Sequence, residues 1–230
     1  MLLIPPFSAV FVGPSGCGKT SLIVELFRKK LIPSQKIVIF YQNWQKLYSE
    51  LAGVESVSCY KYWIERKNAS SDDHNDLERL IENITSKYPP GMVTFLFDDA
   101  LPFCKTFTME EIFTRMSHHY NFNVIITVQN LFEPSLRVIT RNCHYIFIFR
   151  NPRDAAQIRH LAFQMYPDKK YAHGLINAIK KITQRPFSAA LLDFKSDTND
   201  SQRLKSDFLQ ENICVWCFQD DALPKEEEAI

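Results

Sequence analysis

An α/β fold with a central, mostly parallel sheet and helices on both faces is predicted by three features of the 230-residue sequence. Apolar runs of strand length alternate with stretches of helical period, as in parallel strands joined by crossover helices. The runs are nearly continuous in Val, Ile and Phe, which suits strands covered on both faces. Glycine is scarce, six in the whole chain, and three of the six fall between positions 13 and 18, directly after the first apolar run.

Taken in order, residues 7–12, 36–41, 93–97, 124–128 and 145–149 are predicted strands. Between them, residues 19–31, 76–87 and 109–120 carry apolar side chains at three-and-four spacing and are predicted helices. The polar stretch 72–76 is placed to cap the second of these. After the fifth strand, 154–165 and 169–182 read as two more helices and 187–194 as a late strand. From Lys195 onward the composition turns polar and charged, ending in PKEEEAI. Residues 1–194 are therefore expected to form the folded domain, and 195–230 a polar, acidic, partly disordered tail. The opening MLLIPPFSAVFV reads as a strand and not as a signal peptide, because it lacks a charged leading region and runs into a glycine cluster that cleavage would cripple. No stretch reaches the ~18 uninterrupted apolar residues of a membrane span, so a soluble protein is expected.

A hydrophobic share of 46%, a charged share of 23% and 18 Phe describe a globular core and exclude fibrous, low-complexity and disordered classes. Twenty-seven Lys and Arg against 26 Asp and Glu leave +1, so no field of the whole chain recruits a polyanion and any such partner needs local basic loops. The six cysteines are scattered and mostly in apolar runs, which fits a reducing, intracellular setting. Cys214 and Cys217 form a CxxC with no second pair and no nearby His, the pattern of a buried or incidental pair more than of a zinc site.

Residues 13–20, GPSGCGKT, match G-x-x-x-x-G-K-[ST] between a buried strand and a helix. In that setting Gly13, Pro14, Ser15, Gly16, Cys17 and Gly18 curl the backbone so that N–H groups point at phosphate oxygens. The helix beginning at Lys19, Thr20 and Ser21 adds its positive end. Lys19 supplies a mobile charge for the β- and γ-phosphates of ATP, and Thr20 a hydroxyl for Mg²⁺. The strand 93–97 ends in Asp98 and Asp99, at the sheet edge that also carries the loop. Asp98 suits the Walker B role of holding Mg²⁺ through its water shell. Asp99 either polarises a water in line with the γ-phosphate or serves as a helix N-cap. The strand 124–128 ends in Gln129 and Asn130, and an amide there can touch both γ-phosphate and attacking water. Loop, acidic pair and amide together predict a P-loop NTPase of the additional-strand, RecA-like ATPase type, with a strand inserted between those carrying the loop and the acidic pair.

Four stretches also carry a family resemblance: GPSGCGKT at 13–20, FLFDDA at 95–100, RMSHHYNFNVIITVQNLF at 115–132 and HYIFIFRNPRDAAQIRHLAFQMYP at 144–167. Together they resemble the FtsK–HerA superfamily, and most closely the poxvirus-like DNA-packaging ATPases of large double-stranded DNA viruses and virus-like mobile elements. The chain departs from the superfamily in having Asp, one methylene shorter than Glu, at 99, and TVQNLF where that family typically has TQNLF. The resemblance implies a motor that hydrolyses ATP with Mg²⁺ to move double-stranded DNA into a capsid. Its implied form is a homo-oligomeric ring of roughly five or six subunits, meeting capsid or portal-vertex proteins at a cytoplasmic or nuclear assembly site in the host cell. It implies Asp99 as catalytic acid and Gln129 as sensor. A helicase or conjugation-type translocase of the same superfamily, and a scaffold that binds nucleotide without turnover, are the alternatives.

A ring ATPase also needs a cation from a neighbouring subunit at the transition state. Arg115 and Arg141 are the candidates, with Arg150 and Arg153 in reserve. His118 and His119 are adjacent, a poor arrangement for chelating one ion, and are read as structural. Lys61, Arg66, Lys67, Lys105 and the segment 150–159 are the candidate DNA contacts.

Overall fold

Strand formation follows the apolar runs. The computed structural model describes residues 2–41, 43–53, 56–61, 71–99, 107–131, 133–210, 212–217 and 225–227, without the side chains of 52–53, 56–61, 71–76, 107–108 and 225–227. β1 (Ser8–Val12), β4 (Val93–Phe97), β5 (Asn123–Val128) and β6 (Tyr145–Phe149) are buried at every residue. β2 (Lys36–Tyr41) is buried except at its ends, and β3 (Ser56–Lys61) lies outside it. These six strands are parallel, in the order β6-β1-β5-β4-β2-β3. β7 (Ala189–Asp193), β8 (Leu204–Ser206), β9 (Cys214–Cys217) and β10 (Lys225–Glu227) continue the sheet beyond β6 in antiparallel fashion.

Side chains alternate across the sheet with the two-residue period of a strand. Val10 and Val12 enter one core while Ala9 and Phe11 enter the other. The first core is closed by α2 (Ser71–Thr85) through Leu77 and Ile81, and by α7 (Lys169–Ile182) through Ala172, Leu175 and Ile179. It also takes Met109, Ile112, Phe113 and Met116 from a helix in which α3 (Phe107–Glu111) passes through a π turn, Ile112–Met116, into α4 (Ser117–His119). α5 (Arg137–Asn142) adds Ile139, and α6 (Ala155–Met165) adds Leu161 and Ala162. The second core is closed by α1 (Lys19–Arg28), by Tyr48 and Leu51 of the 3₁₀ turn Lys46–Gly53, and by Phe208. Stacked rings tie neighbouring strands, Phe11 on Phe147 at 4.0 Å and Phe40 on Phe97 at 4.7 Å between centroids. Among the described residues no helix is long and apolar enough to cross a membrane.

The α/β class, the parallel core and the inserted strand are as expected, with β5 between β1 and β4. Three boundaries differ. α2 begins at Ser71, so residues 72–76 lie within the helix instead of capping it. β3 escaped notice because its sequence, SVSCYK, mixes polar residues into an edge strand. The segment after Lys195, expected as a polar tail, carries β8 and β9 of the same sheet. Their core contacts are few but firm: Leu204 and Trp216 are buried, and the Trp216 indole N–H donates to Ser206 Oγ at 3.0 Å. The CxxC falls on β9, and Cys217 Sγ donates to the Ser201 carbonyl at 3.1 Å. Cys104 lies outside the described residues, as does the Cys59 side chain.

Polar clamps hold the N-terminal edge of the sheet. Asn123 Nδ2 donates to the Gly91 carbonyl at 2.7 Å and its Oδ1 accepts from Phe7 N at 3.3 Å. His144 Nδ1 accepts from Ser8 N at 3.0 Å, joining β1 to the start of β6. Burial, with help from the Lys195 and His118 charges, pushes the His144 imidazole down to about 4. The unfolded chain takes up this proton near pH 6.5, so between pH 6.5 and 4 it binds more protons than the folded chain. This contribution to stability is therefore present above pH 6.5 and is lost as the pH falls towards 4. Thermal unfolding should show that loss, and the His144→Gln variant should show a shallower slope over the same interval. An unchanged slope would refute the assignment.

Candidate functional site

The loop of residues 13–18 leaves β1 and turns into α1 through two left-handed glycines, Gly16 at φ 77° and Gly18 at φ 100°. Gly13 is required for a different reason. A Cβ there would lie 2.7 Å from both Cys17 Sγ and Phe149 Cβ, inside the contact distance. Gly13 N donates to the Val128 carbonyl at 3.1 Å, which ties the loop to the end of β5. No side chain caps α1 and no acidic residue stands in its first turn, so the helix presents its positive end to the loop. Lys19 Nζ donates to the Gly13 carbonyl at 2.7 Å and the Pro14 carbonyl at 3.1 Å. Ser15 and Ser21 are exposed. Burial pushes the Cys17 thiol above its usual range, so this residue acts as a small neutral side chain.

Asp98 and Asp99 continue β4 at the same edge. Asp98 is 3% exposed, and burial of a carboxylate is tolerable only with donors around it. Thr20 Oγ1 donates to its two oxygens at 3.2 and 3.4 Å, Thr127 Oγ1 at 2.5 Å, Gln45 Nε2 at 2.9 Å and the Tyr48 hydroxyl at 2.5 Å. Tyr48 is itself steadied by an edge-to-face contact with Trp44 at 5.4 Å and a tilted contact with Tyr41 at 5.9 Å between centroids. Asp99 sits at φ 54°, a left-handed conformation that Asp visits more readily than most residues. Its N–H donates to Thr127 Oγ1 at 2.7 Å, and its Oδ1 accepts from Gln129 Nε2 at 3.4 Å. Thr127 thus serves both acidic residues at once.

The structure gathers residues 13–21, Asp98, Asp99 and Gln129 at the C-terminal edge of the parallel strands, where open α/β sheets bind ligands. Thr20 Oγ1 and the Asp98 carboxylate, two hard oxygen ligands in contact at the mouth of the loop, fit a magnesium ion held partly through its waters. The arginines divide. Arg115, in the π turn, pairs with Glu78 at 3.6 Å and Glu111 at 3.4 Å. Arg141 is exposed at the end of α5. Both elements lead into the N-terminal edges of β5 and β6, away from the loop of their own chain. Arg150 and Arg153 follow β6 on the loop side, Arg150 donating to the Gln184 carbonyl at 3.4 Å. The His118 ring packs against His144 at 5.5 Å and that of His119 against Tyr120 at 4.8 Å. Arg66, Lys67 and Lys105 lie outside the described residues, as does the Lys61 side chain.

Gln45, Tyr48 and Thr127 were not foreseen from sequence. A buried threonine one residue from the end of an apolar strand is a signal, but only the order of strands shows that it faces the acidic pair.

No protein-family model and no curated protein matches the chain. Solved structures do. The genome packaging NTPase B204 from Sulfolobus turreted icosahedral virus 2, in complex with sulfate, matches with a TM-score of 0.57 at 19% identity, over 85% of this chain and 95% of that one. Its complex with AMP matches with a TM-score of 0.57 at 18% identity, over 89% and 98%. EssC (ATPases 2 and 3) from Geobacillus thermodenitrificans matches with a TM-score of 0.51 at 10% identity, over 84% of this chain and 38% of that one. The fold is that of the P-loop NTPases, a mixed α/β fold with a mostly parallel central sheet.

Replacing Thr127 with Val removes a donor from Asp98 and an acceptor from the Asp99 N–H while keeping the shape. Urea unfolding should register a loss of about 1–3 kcal/mol, the cost of unsatisfied buried groups. An unchanged midpoint would mean that the pair is held without Thr127.

Proposed function

We propose that this chain is an ATP-hydrolysing motor that packages double-stranded DNA into viral capsids, working as a homo-oligomeric ring with capsid or portal-vertex partners. The observation that carries the reading is the mutual coverage with a genome packaging NTPase, 85% of this chain and 95% of that one. Four sequence stretches resembling viral packaging ATPases support it, as does the placing of loop, acidic pair and amide at one sheet edge.

In this reading the N–H groups of residues 13–18 and the first turn of α1 cradle the phosphates of ATP. Lys19 exchanges its two loop carbonyls for β- and γ-phosphate oxygens. Thr20 and Asp98 hold magnesium. What the ion supplies when bound is charge neutralisation across those phosphates. Asp99 accepts a proton from the water that attacks the γ-phosphorus, the bond to the β-phosphate oxygen breaks, and ADP and phosphate leave. Gln129, 3.4 Å from Asp99, orients that water and senses its loss through β5, whose end holds Gly13. Arg115 or Arg141 neutralises the transition state of a neighbouring subunit, a task suited to residues on elements that lead away from their own loop. Arg150, Arg153 and the segment to residue 159 offer local positive charge for DNA, which a chain of net charge +1 needs in concentrated form.

Purified protein should hydrolyse ATP in the presence of magnesium, faster when duplex DNA is added. Lys19→Ala should lower turnover by about 100-fold or more, the scale of losing one positioned charge at a phosphoryl transition state. A wild-type chain that binds no nucleotide would defeat the reading, and DNA without effect on turnover would defeat its motor component.

A further inference from the structure

The edge that carries the loop also carries a cleft of about 510 Å³ whose lining includes none of residues 13–20. Its walls include Leu22, Phe187, Ala189, Asp207, Phe208 and Trp216. Register places it. Ala189 pairs with Phe149 at the end of β6, and Ser206 pairs with Cys214, so the turns before β7 and after β8 both stand at the loop's edge.

Three features make this cleft unusual. Phe187 is 72% exposed, a large apolar ring offered to solvent. It holds φ 63° and Asp207, across the cleft, φ 54°. The left-handed region is costly for a bulky residue, and such strain gathers at ligand sites. The Phe187 ring also touches the phosphate loop, since a Cβ on Gly18 would lie 3.1 Å from Phe187 Cδ1. Leu22, two residues beyond Thr20, lines the cleft, which therefore begins where the phosphate cradle ends. On the rim, Asp207 accepts from Ser206 Oγ at 2.7 Å and Gln210 Nε2 at 3.3 Å, and Arg185 reaches it at 3.9 Å.

We propose that this cleft receives the nucleobase of the bound nucleotide, with the face of Phe187 as its stacking platform. This inference rests on the nucleotide-binding reading above. A flat heterocycle joined through ribose to phosphates on residues 13–20 is the ligand that meets both the exposed ring and the loop beside it. Ring-on-ring stacking needs no hydrogen-bond readout, so it tolerates different bases.

Titration calorimetry on the full chain with magnesium and either ATP or inorganic tripolyphosphate, which has the phosphates without the base, tests the proposal. Phe187→Ala should weaken ATP binding about tenfold, the order expected for one base–aromatic stack, and leave tripolyphosphate binding unchanged. Phe187→Tyr should restore ATP binding. The proposal is overturned if Phe187→Ala binds ATP as the wild type does, or if it loses tripolyphosphate equally, which would make the ring a support for Gly18. A wild-type chain that binds neither ligand is a distinct result and removes the nucleotide reading together with the proposal.

Discussion

A single buried carboxylate organises the C-terminal edge of the parallel strands. Asp98 takes donors from α1, from the turn after β2 and from β5, so three separate chain segments must converge on it. They converge only because β5 lies between β1 and β4, and β2 on the far side of β4. An isolated carboxylate at this depth would cost several kcal/mol. The hydrogen bonds offset that cost and in return lock loop, acidic pair and amide into one register.

The polar clamps at the opposite edge have a complementary role. Asn123 and His144, at the starts of β5 and β6, satisfy backbone groups at the starts of β1 and β4. The C-terminal edge keeps its left-handed residues, Asp99, Phe187 and Asp207, in turns positioned by that rigid sheet. A stable frame carrying strained turns is the arrangement expected where geometry must be held for chemistry.

How much of this could be read from the sequence depends on distance along the chain. The loop at 13–20 was legible because its chemistry is local, a strand, three glycines and a helix start. β1, β4, β5 and β6 were legible because full burial writes itself as unbroken apolarity. β8 and β9 were not, since LKS and CVWC are short and only partly buried, and a polar surrounding composition masks them. Asp98, Asp99 and Gln129 could be named from strand ends, whereas Gln45, Tyr48 and Thr127 needed the order of strands. Phe187 and Asp207 meet across two turns 20 positions apart, and no spacing rule connects them. The arginines are the hardest case, because the contacts within the chain, such as those of Arg115 with Glu78 and Glu111, do not distinguish a surface ion pair from a residue that serves another subunit.

The central claim is that the edge defined by Asp98 does chemistry on bound nucleotide and does more than hold it. Single-turnover hydrolysis of ATP by Asp99→Asn, with binding measured on the same sample, tests this most directly. The expected result is near-native ATP affinity with hydrolysis slowed about 100-fold or more, as for loss of a group that acts only in the transition state. Hydrolysis at the wild-type rate would contradict the account.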